Sequence, residues 1–219
     1  ALIAMVAFWQ IAFLQNSVQW DMLDCWLPWR YFIGESLQGK MLPLWNPYQQ
    51  MGYPIHADLQ GPSWYPEALI IGFFSGHNLY TLQWLFVFYV FVGGVGMYKL
   101  SHFLHGNNQS AVITAIAYML SGFFVAHTQH FFSIISAAWL PFLLYYYLRL
   151  LKEQTCINSF KASVILFLMI TGGNQTFTII TFYLLLVLLI FHLIKYFREK
   201  SYRRISEIVK INLIFVLCT

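Results

Sequence analysis

Charge is what this sequence has least of. Asp, Glu, Lys and Arg make up 9% of its 219 residues, while 59% are hydrophobic and 20% aromatic. Soluble domains carry roughly 25% charged residues, so a water-facing globule of this size would have too little polar surface. Cysteine is also scarce, with only Cys25, Cys156 and Cys218. The topology read below separates the three, which leaves no disulfide framework and no cysteine-based metal site. No Walker-type phosphate loop, dinucleotide fingerprint, zinc-protease helix or serine-hydrolase elbow is present, which argues against a nucleotide-driven transporter. The formal charge of +4 is no nucleic-acid signal, because the basic residues sit at the ends of apolar blocks.

Those blocks are what the sequence has in abundance. Leu79–Leu100, Ala111–Ala126, Phe131–Leu151 and Phe177–Ile194 hold almost no charge. Each is near the ~20 apolar residues a helix needs to cross the hydrocarbon core. Seven spans are expected: Ala1–Leu14, Leu79–Leu100, Ser110–His127, Phe131–Leu151, Asn158–Gly172, Gln175–Phe197 and Ser206 onward. The first and last are expected to be truncated, since the chain opens at Ala1 and closes at Thr219 inside apolar runs. The fold class is therefore all-α, a polytopic transmembrane bundle. A single helix from Asn158 to Phe197 would be about 60 Å long, twice the membrane thickness. Gly172-Gly173-Asn174 is the expected break.

Lys and Arg set the orientation. If Ala1–Leu14 runs outward, ten of the twelve fall in the inside segments Lys99–Gln109, Arg149–Lys161 and Lys195–Lys210. Those segments sum to +7. The outside loop, residues 15–78, sums to −3, with Arg30 and Lys40 against Asp21, Asp24, Glu35, Asp58 and Glu67. The reverse orientation would put ten cations outside.

Residues 15–78 also hold five of the eight tryptophans and six of the seven prolines. Tryptophan favours the headgroup zone, so short amphipathic helices are expected on the outer leaflet at Trp26–Leu37, Leu44–Tyr53 and Pro62–Ile71, punctuated by Pro and Gly turns. Within the loop, Asp21 and Asp24 are spaced i, i+3. On an α-helix that spacing shares a face, where a carboxylate can serve as general base toward a hydroxyl. A solvated acidic turn or helix cap gives the same spacing. Arg30 suits a phosphate through bidentate hydrogen bonds, or it snorkels to lipid headgroups. His127 and His130 are three apart at the outer end of the third span, and a metal there would need a third ligand. No metal site is assigned, and a divalent ion is left open. Asn174 and Gln175 at the hairpin tip bind a sugar or satisfy freed backbone. His56, Asp58 and Gln60 complete the candidate set as polar groups in an aromatic loop.

Several runs are distinctive together: Asp21–Arg30 (DMLDCWLPWR), Leu42–Tyr48 (LPLWNPY), Gly52-Tyr53-Pro54, Ala57, Gln60 and Tyr65-Pro66. Leu120–His127 (LSGFFVAH), Ala138-Trp139-Leu140-Pro141 and Gly172–Gln175 (GGNQ) follow downstream. They resemble the YfhO-like bacterial membrane proteins, which are similar to the GT-C glycosyltransferases, and the resemblance covers nearly the whole chain. It implies the N-terminal part of a GT-C-like domain in the bacterial cytoplasmic membrane. Residues 1–14 would be the truncated first span, 15–78 the extracytoplasmic loop, and 79–219 the second to the truncated seventh span. It implies a polyprenyl-phosphate sugar donor, a hydroxyl acceptor, Asp21 as the catalytic base and Asp24 as second candidate. Arg30, His56, Asp58, Gln60, His127, His130, Asn174 and Gln175 are then expected to bind substrate. Two other readings stay open: a transporter or flippase for a lipid-linked substrate, and a non-catalytic subunit of a larger membrane complex.

Overall fold

The computed structural model describes residues 1–219 and is helical throughout, with no strand beyond one isolated bridge between Asn46 and Tyr53. Four helices are long and apolar enough to cross a membrane: Leu79–His105, Asn108–Ala126, Phe131–Glu153 and Gln175–Arg198. In chain order the helices are α1 (Leu2–Ala7), α2 (Trp9–Ala12), α3 (Leu27–Gln38), α4 (Pro66–Phe74), α5 (Leu79–His105), α6 (Asn108–Met119), α7 (Gly122–Ala126), α8 (Phe131–Glu153), α9 (Cys156–Thr171), α10 (Gln175–Arg198) and α11 (Tyr202–Leu217).

The ends of these helices are written locally. Asn78 and Thr81 form a reciprocal capping box at the start of α5, and Gly106 closes that helix in the left-handed conformation, the usual glycine terminator. Asn107, Thr155 and Asn174 cap α6, α9 and α10 with their side-chain oxygens. Short connections force neighbouring helices to run antiparallel. The α5–α6, α8–α9 and α10–α11 turns therefore gather at one end of the bundle. All ten Lys and Arg outside residues 15–78 sit on or near those turns. The long loop, the α7–α8 turn and the α9–α10 turn gather at the other.

The core begins with α5 against α6 and α8. At Gly96 an added Cβ would lie 2.7 Å from the Phe142 ring, so glycine permits the close helix approach common in membrane bundles. Farther along, α9 is stapled to α11 by hydroxyl donation from Ser159 to the Ile211 carbonyl (2.9 Å) and from Ser163 to that of Phe215 (2.8 Å). Burying these hydroxyls with partners avoids the cost of orphaned polar groups in an apolar setting.

Several expected spans are reshaped. The run expected as one span over Ala1–Leu14 divides into α1 and α2 at Phe8, whose φ and ψ (−111°, 36°) leave the helical region. The third span breaks at Leu120–Ser121 into α6 and α7. The ninth helix has 16 residues, about 24 Å at 1.5 Å each, short of the ~30 Å core. The last helix starts at Tyr202, four residues before the expected Ser206.

Within the loop, α3 and α4 lie where surface helices are expected, but Leu44–Tyr53 is not helical. The Asn46 side chain accepts from the Tyr48 amide (3.0 Å), and Asn46 and Tyr53 exchange backbone hydrogen bonds of 2.9 and 3.0 Å. Left-handed Gln50, Met51 and Gly52 close the turn between them. Asparagine favours this local bonding over helix, and Pro47 lacks the amide that a helix interior needs.

Candidate functional site

The loop is anchored to the bundle by a buried polar chain. Arg30 is fully buried and forks onto Glu67 with bonds of 2.8 and 2.9 Å. Its guanidinium also lies over the rings of Phe131 (5.0 Å) and Trp26 (5.7 Å). Glu67 accepts from the Tyr89 hydroxyl at 3.2 Å, the Tyr89 and Tyr65 oxygens are 2.7 Å apart, and Trp139 donates to Tyr65 at 2.9 Å. Tyr89 has one proton, best spent on the carboxylate, so Tyr65 accepts from Trp139 and donates to Tyr89. Burial works against the Arg30 charge, but attraction and hydrogen bonding from Glu67 outweigh it and raise its pKa. The expectation that Arg30 holds a phosphate is therefore corrected, because both terminal nitrogens are spent on Glu67 and no surface remains.

The chain before Arg30 is a π-helical turn, Met22–Trp26, rather than an α-helix. A π turn is wider, with i→i+5 bonding, and such turns often occur at functional sites. Asp21 and Asp24 are consequently not stacked on one α-helical face as their spacing predicts. Both are exposed. Trp26 fixes the turn by packing on Phe131 (5.7 Å between centroids) and Phe132 (6.0 Å) at the start of α8.

This docking brings Asp21 to the α7–α8 turn. Its Oδ2 lies 3.6 Å from Nε2 of His130, a contact that pairs charges when the imidazole is protonated. His127 follows, with its ring centroid 5.8 Å from that of His130. His127 stacks on Phe123 at 4.2 Å, and its Nδ1 donates to the Phe123 carbonyl at 3.0 Å. A carbonyl can only accept, so Nδ1 carries the proton and Nε2 is left as an acceptor.

Asp58 follows the Ile55–Ala57 turn farther along the loop. Burial raises the Cys25 thiol pKa first, and the negative charges of Asp21, Asp24 and Asp58 raise it further. Burial and then Asp58 push the Tyr53 phenol up to about 12. Asp58 also accepts from the Gln60 amide at 2.9 Å, forming a tight turn. No three His, Cys, Asp or Glu side chains stand close enough together to hold a metal ion.

The hairpin tip docks on the same turn. Gly173 has φ +92°, and an added Cβ would lie 2.6 Å from the Gln60 carbonyl oxygen. The Gln175 amide donates to the Leu59 carbonyl. Asn174 is buried, with its oxygen capping α10 through the Phe177 amide (2.9 Å) and its nitrogen donating to Ser133 Oγ (3.0 Å). Both tip residues thus serve the backbone and the loop contact. The Gln60 side chain makes no protein hydrogen bond.

His56 lies on an apolar groove of about 330 Å³ between α4 and the Leu42–Leu44 segment. Its Nδ1 donates to the Leu44 carbonyl at 2.7 Å, which leaves Nε2 free. Sequence reasoning identified Asp21, His127 and His130 one by one but did not join them. It also missed Glu67, Tyr65, Tyr89 and Trp139. Nothing in the sequence singles out Glu67, which is one of five carboxylates in the loop.

Comparisons with protein-family models, with curated proteins and with solved structures find no match to this chain.

Proposed function

We propose that the chain is the N-terminal part of a YfhO-like, GT-C-type membrane glycosyltransferase that moves a sugar from a polyprenyl-phosphate donor to a hydroxyl acceptor. The reaction takes place on the extracytoplasmic face of the bacterial cytoplasmic membrane. The observation that carries this reading is the approach of Asp21 to His130 at 3.6 Å, at the bundle end opposite the ten cations. The positive-inside rule assigns that basic end to the cytoplasm, which leaves Asp21 on the side where an exported lipid-linked donor presents its sugar.

In the reaction, Asp21 accepts the proton of the acceptor hydroxyl as its oxygen attacks the anomeric carbon. The bond from that carbon to the phosphate oxygen breaks, and the phosphate leaves with the electron pair, which inverts the anomeric centre. His130 Nε2, 3.6 Å from the Asp21 carboxylate, can receive the proton from Asp21 through one bridging water. The apolar groove beside α4, with large exposed side chains at Leu42, Trp64, Phe73 and Phe74, suits the hydrocarbon chain of the donor. The free Nε2 of His56 suits a phosphate at its mouth when protonated.

The test is sugar transfer from a polyprenyl-phosphate donor by the full-length protein carrying Asp21→Asn. Loss of general-base catalysis costs about 100- to 10,000-fold. Transfer at near wild-type rate by well-folded Asp21→Asn protein would reject the assignment.

A further inference from the structure

A cavity of about 560 Å³ opens between α3 and the Met41–Gln49 segment, on residues that the proposed chemistry does not use. Its walls combine aromatic rings with polar groups that lack protein partners. Phe32 and Tyr48 meet edge to face, 6.2 Å apart and 71° between planes, and Tyr31 adds a third ring. Ser36 is only 7% exposed, lines the cavity, and its hydroxyl makes no protein hydrogen bond. The hydroxyl is not sealed from the cavity, so it is open to a ligand there. Glu35 is exposed at the rim, and its carboxylate, an acceptor with no partner, faces no ion pair. Gln49 uses its oxygen to accept from Asn46 at 3.2 Å, which leaves its two N–H donors for a ligand.

The ligand must therefore offer hydroxyl donors to Glu35, acceptors to the Gln49 amide, either to Ser36, and an apolar face to the rings. A pocket of mostly apolar walls with a few convergent polar groups is the general form of a small-molecule site. A hydrocarbon chain would strip water from the Ser36 hydroxyl, the Glu35 carboxylate and the Gln49 N–H groups without bonding any of them. A phosphate would meet the Glu35 carboxylate with no lining cation. A quaternary ammonium would suit the rings and Glu35 but gives the Gln49 N–H groups and Ser36 nothing to bond. A pyranose ring satisfies all of them, with an apolar C–H face for stacking and hydroxyls at its edge.

We propose that this cavity binds a neutral sugar residue, separately from the Asp21 centre. It extends the transferase reading, because an acceptor glycan held here would be gripped away from the reacting hydroxyl, yet binding at the pocket does not depend on transfer. The experiment is saturation-transfer NMR on the full-length protein in detergent, with a panel of methyl hexosides and methyl N-acetylhexosaminides as probes. Binding is expected for at least one probe and is expected to be retained in Asp21→Asn. It should weaken about tenfold or more, the equivalent of a substantial contact, in Tyr48→Ala and in Glu35→Gln. Both positions are exposed, and thermal unfolding of each variant checks that the fold persists. No binding of any sugar, binding unchanged in both variants, or preferential binding of tetramethylammonium would each overturn the proposal. Intact sugar binding in a protein without transfer would reject the enzyme reading and keep the pocket.

Discussion

Arg30 and Glu67, 37 residues apart in the loop, are joined by two bonds of 2.8 and 2.9 Å with the arginine fully buried. The pair ties α3 to α4, and through Tyr89, Tyr65 and Trp139 it ties both to the bundle. It also presses on Trp26 and Phe131, the contact that sets Asp21 beside His130. Removing one partner strands a buried charge, which costs about 3–5 kcal/mol. Glu67→Gln is expected to lower the unfolding temperature in detergent sharply. Replacing both residues by apolar ones, as in Arg30→Met with Glu67→Leu, is expected to recover much of the loss.

At the hairpin tip, Gly173→Ala is expected to destabilise the protein. The residue sits at φ +92° with the Gln60 carbonyl where a Cβ would go, so the variant faces both backbone strain and a clash. About 1–3 kcal/mol is the usual cost of such strain. Limited proteolysis near residues 58–61 should quicken in this variant, because the tip holds that turn. Gly122→Ala is the control, since no atom lies near a Cβ there.

Burial of Cys25, with the charges of Asp21, Asp24 and Asp58 adding to it, predicts a sluggish thiol. A raised pKa lowers the thiolate fraction at neutral pH, and the thiolate is the nucleophile. Alkylation of Cys25 at pH 7.5 is expected to be slower than that of exposed Cys156. Asp24→Asn with Asp58→Asn should accelerate it, because part of the rise comes from their charges. An unchanged rate would separate these aspartates from the thiol.

His77 gives a pH dependence. Burial is the main cause holding its pKa below the ordinary value, with Arg30 adding to the effect, and its Nε2 donates to the Ala68 carbonyl at 2.9 Å. A histidine with a depressed folded pKa binds protons more readily when unfolded. Its contribution is present above the unfolded value, about 6.5, and is lost as pH falls below it. Thermal stability should therefore drop between about pH 7 and pH 5.5, and His77→Gln should flatten that part of the profile.

The spans were legible because hydropathy reports directly on the solvent around a helix. Leu79–Leu100 and Phe131–Leu151 each lie within helices that extend only a few residues farther, where polar ends still satisfy their own backbone. The break at Leu120–Ser121 and the split at Phe8 were not legible, since neither carries a proline or a long polar run. The site was half legible. Asp21 stands out as a carboxylate beside an apolar run, but its meeting with His130 depends on Trp26 seating against Phe131 and Phe132, which no spacing rule encodes. Arg30 reads as a phosphate ligand because the loop holds only two cations, whereas its partner lies 37 residues away in sequence.

Sidedness is the claim on which the rest depends, and labelling with a membrane-impermeant maleimide reads it directly. In full-length protein with Cys25 and Cys218 replaced by serine, Ser17→Cys marks the loop end and native Cys156 marks the basic end. Ser17→Cys is expected to react in intact cells, and Cys156 only after the membrane is opened. Reaction of both sites from the same side would contradict the account.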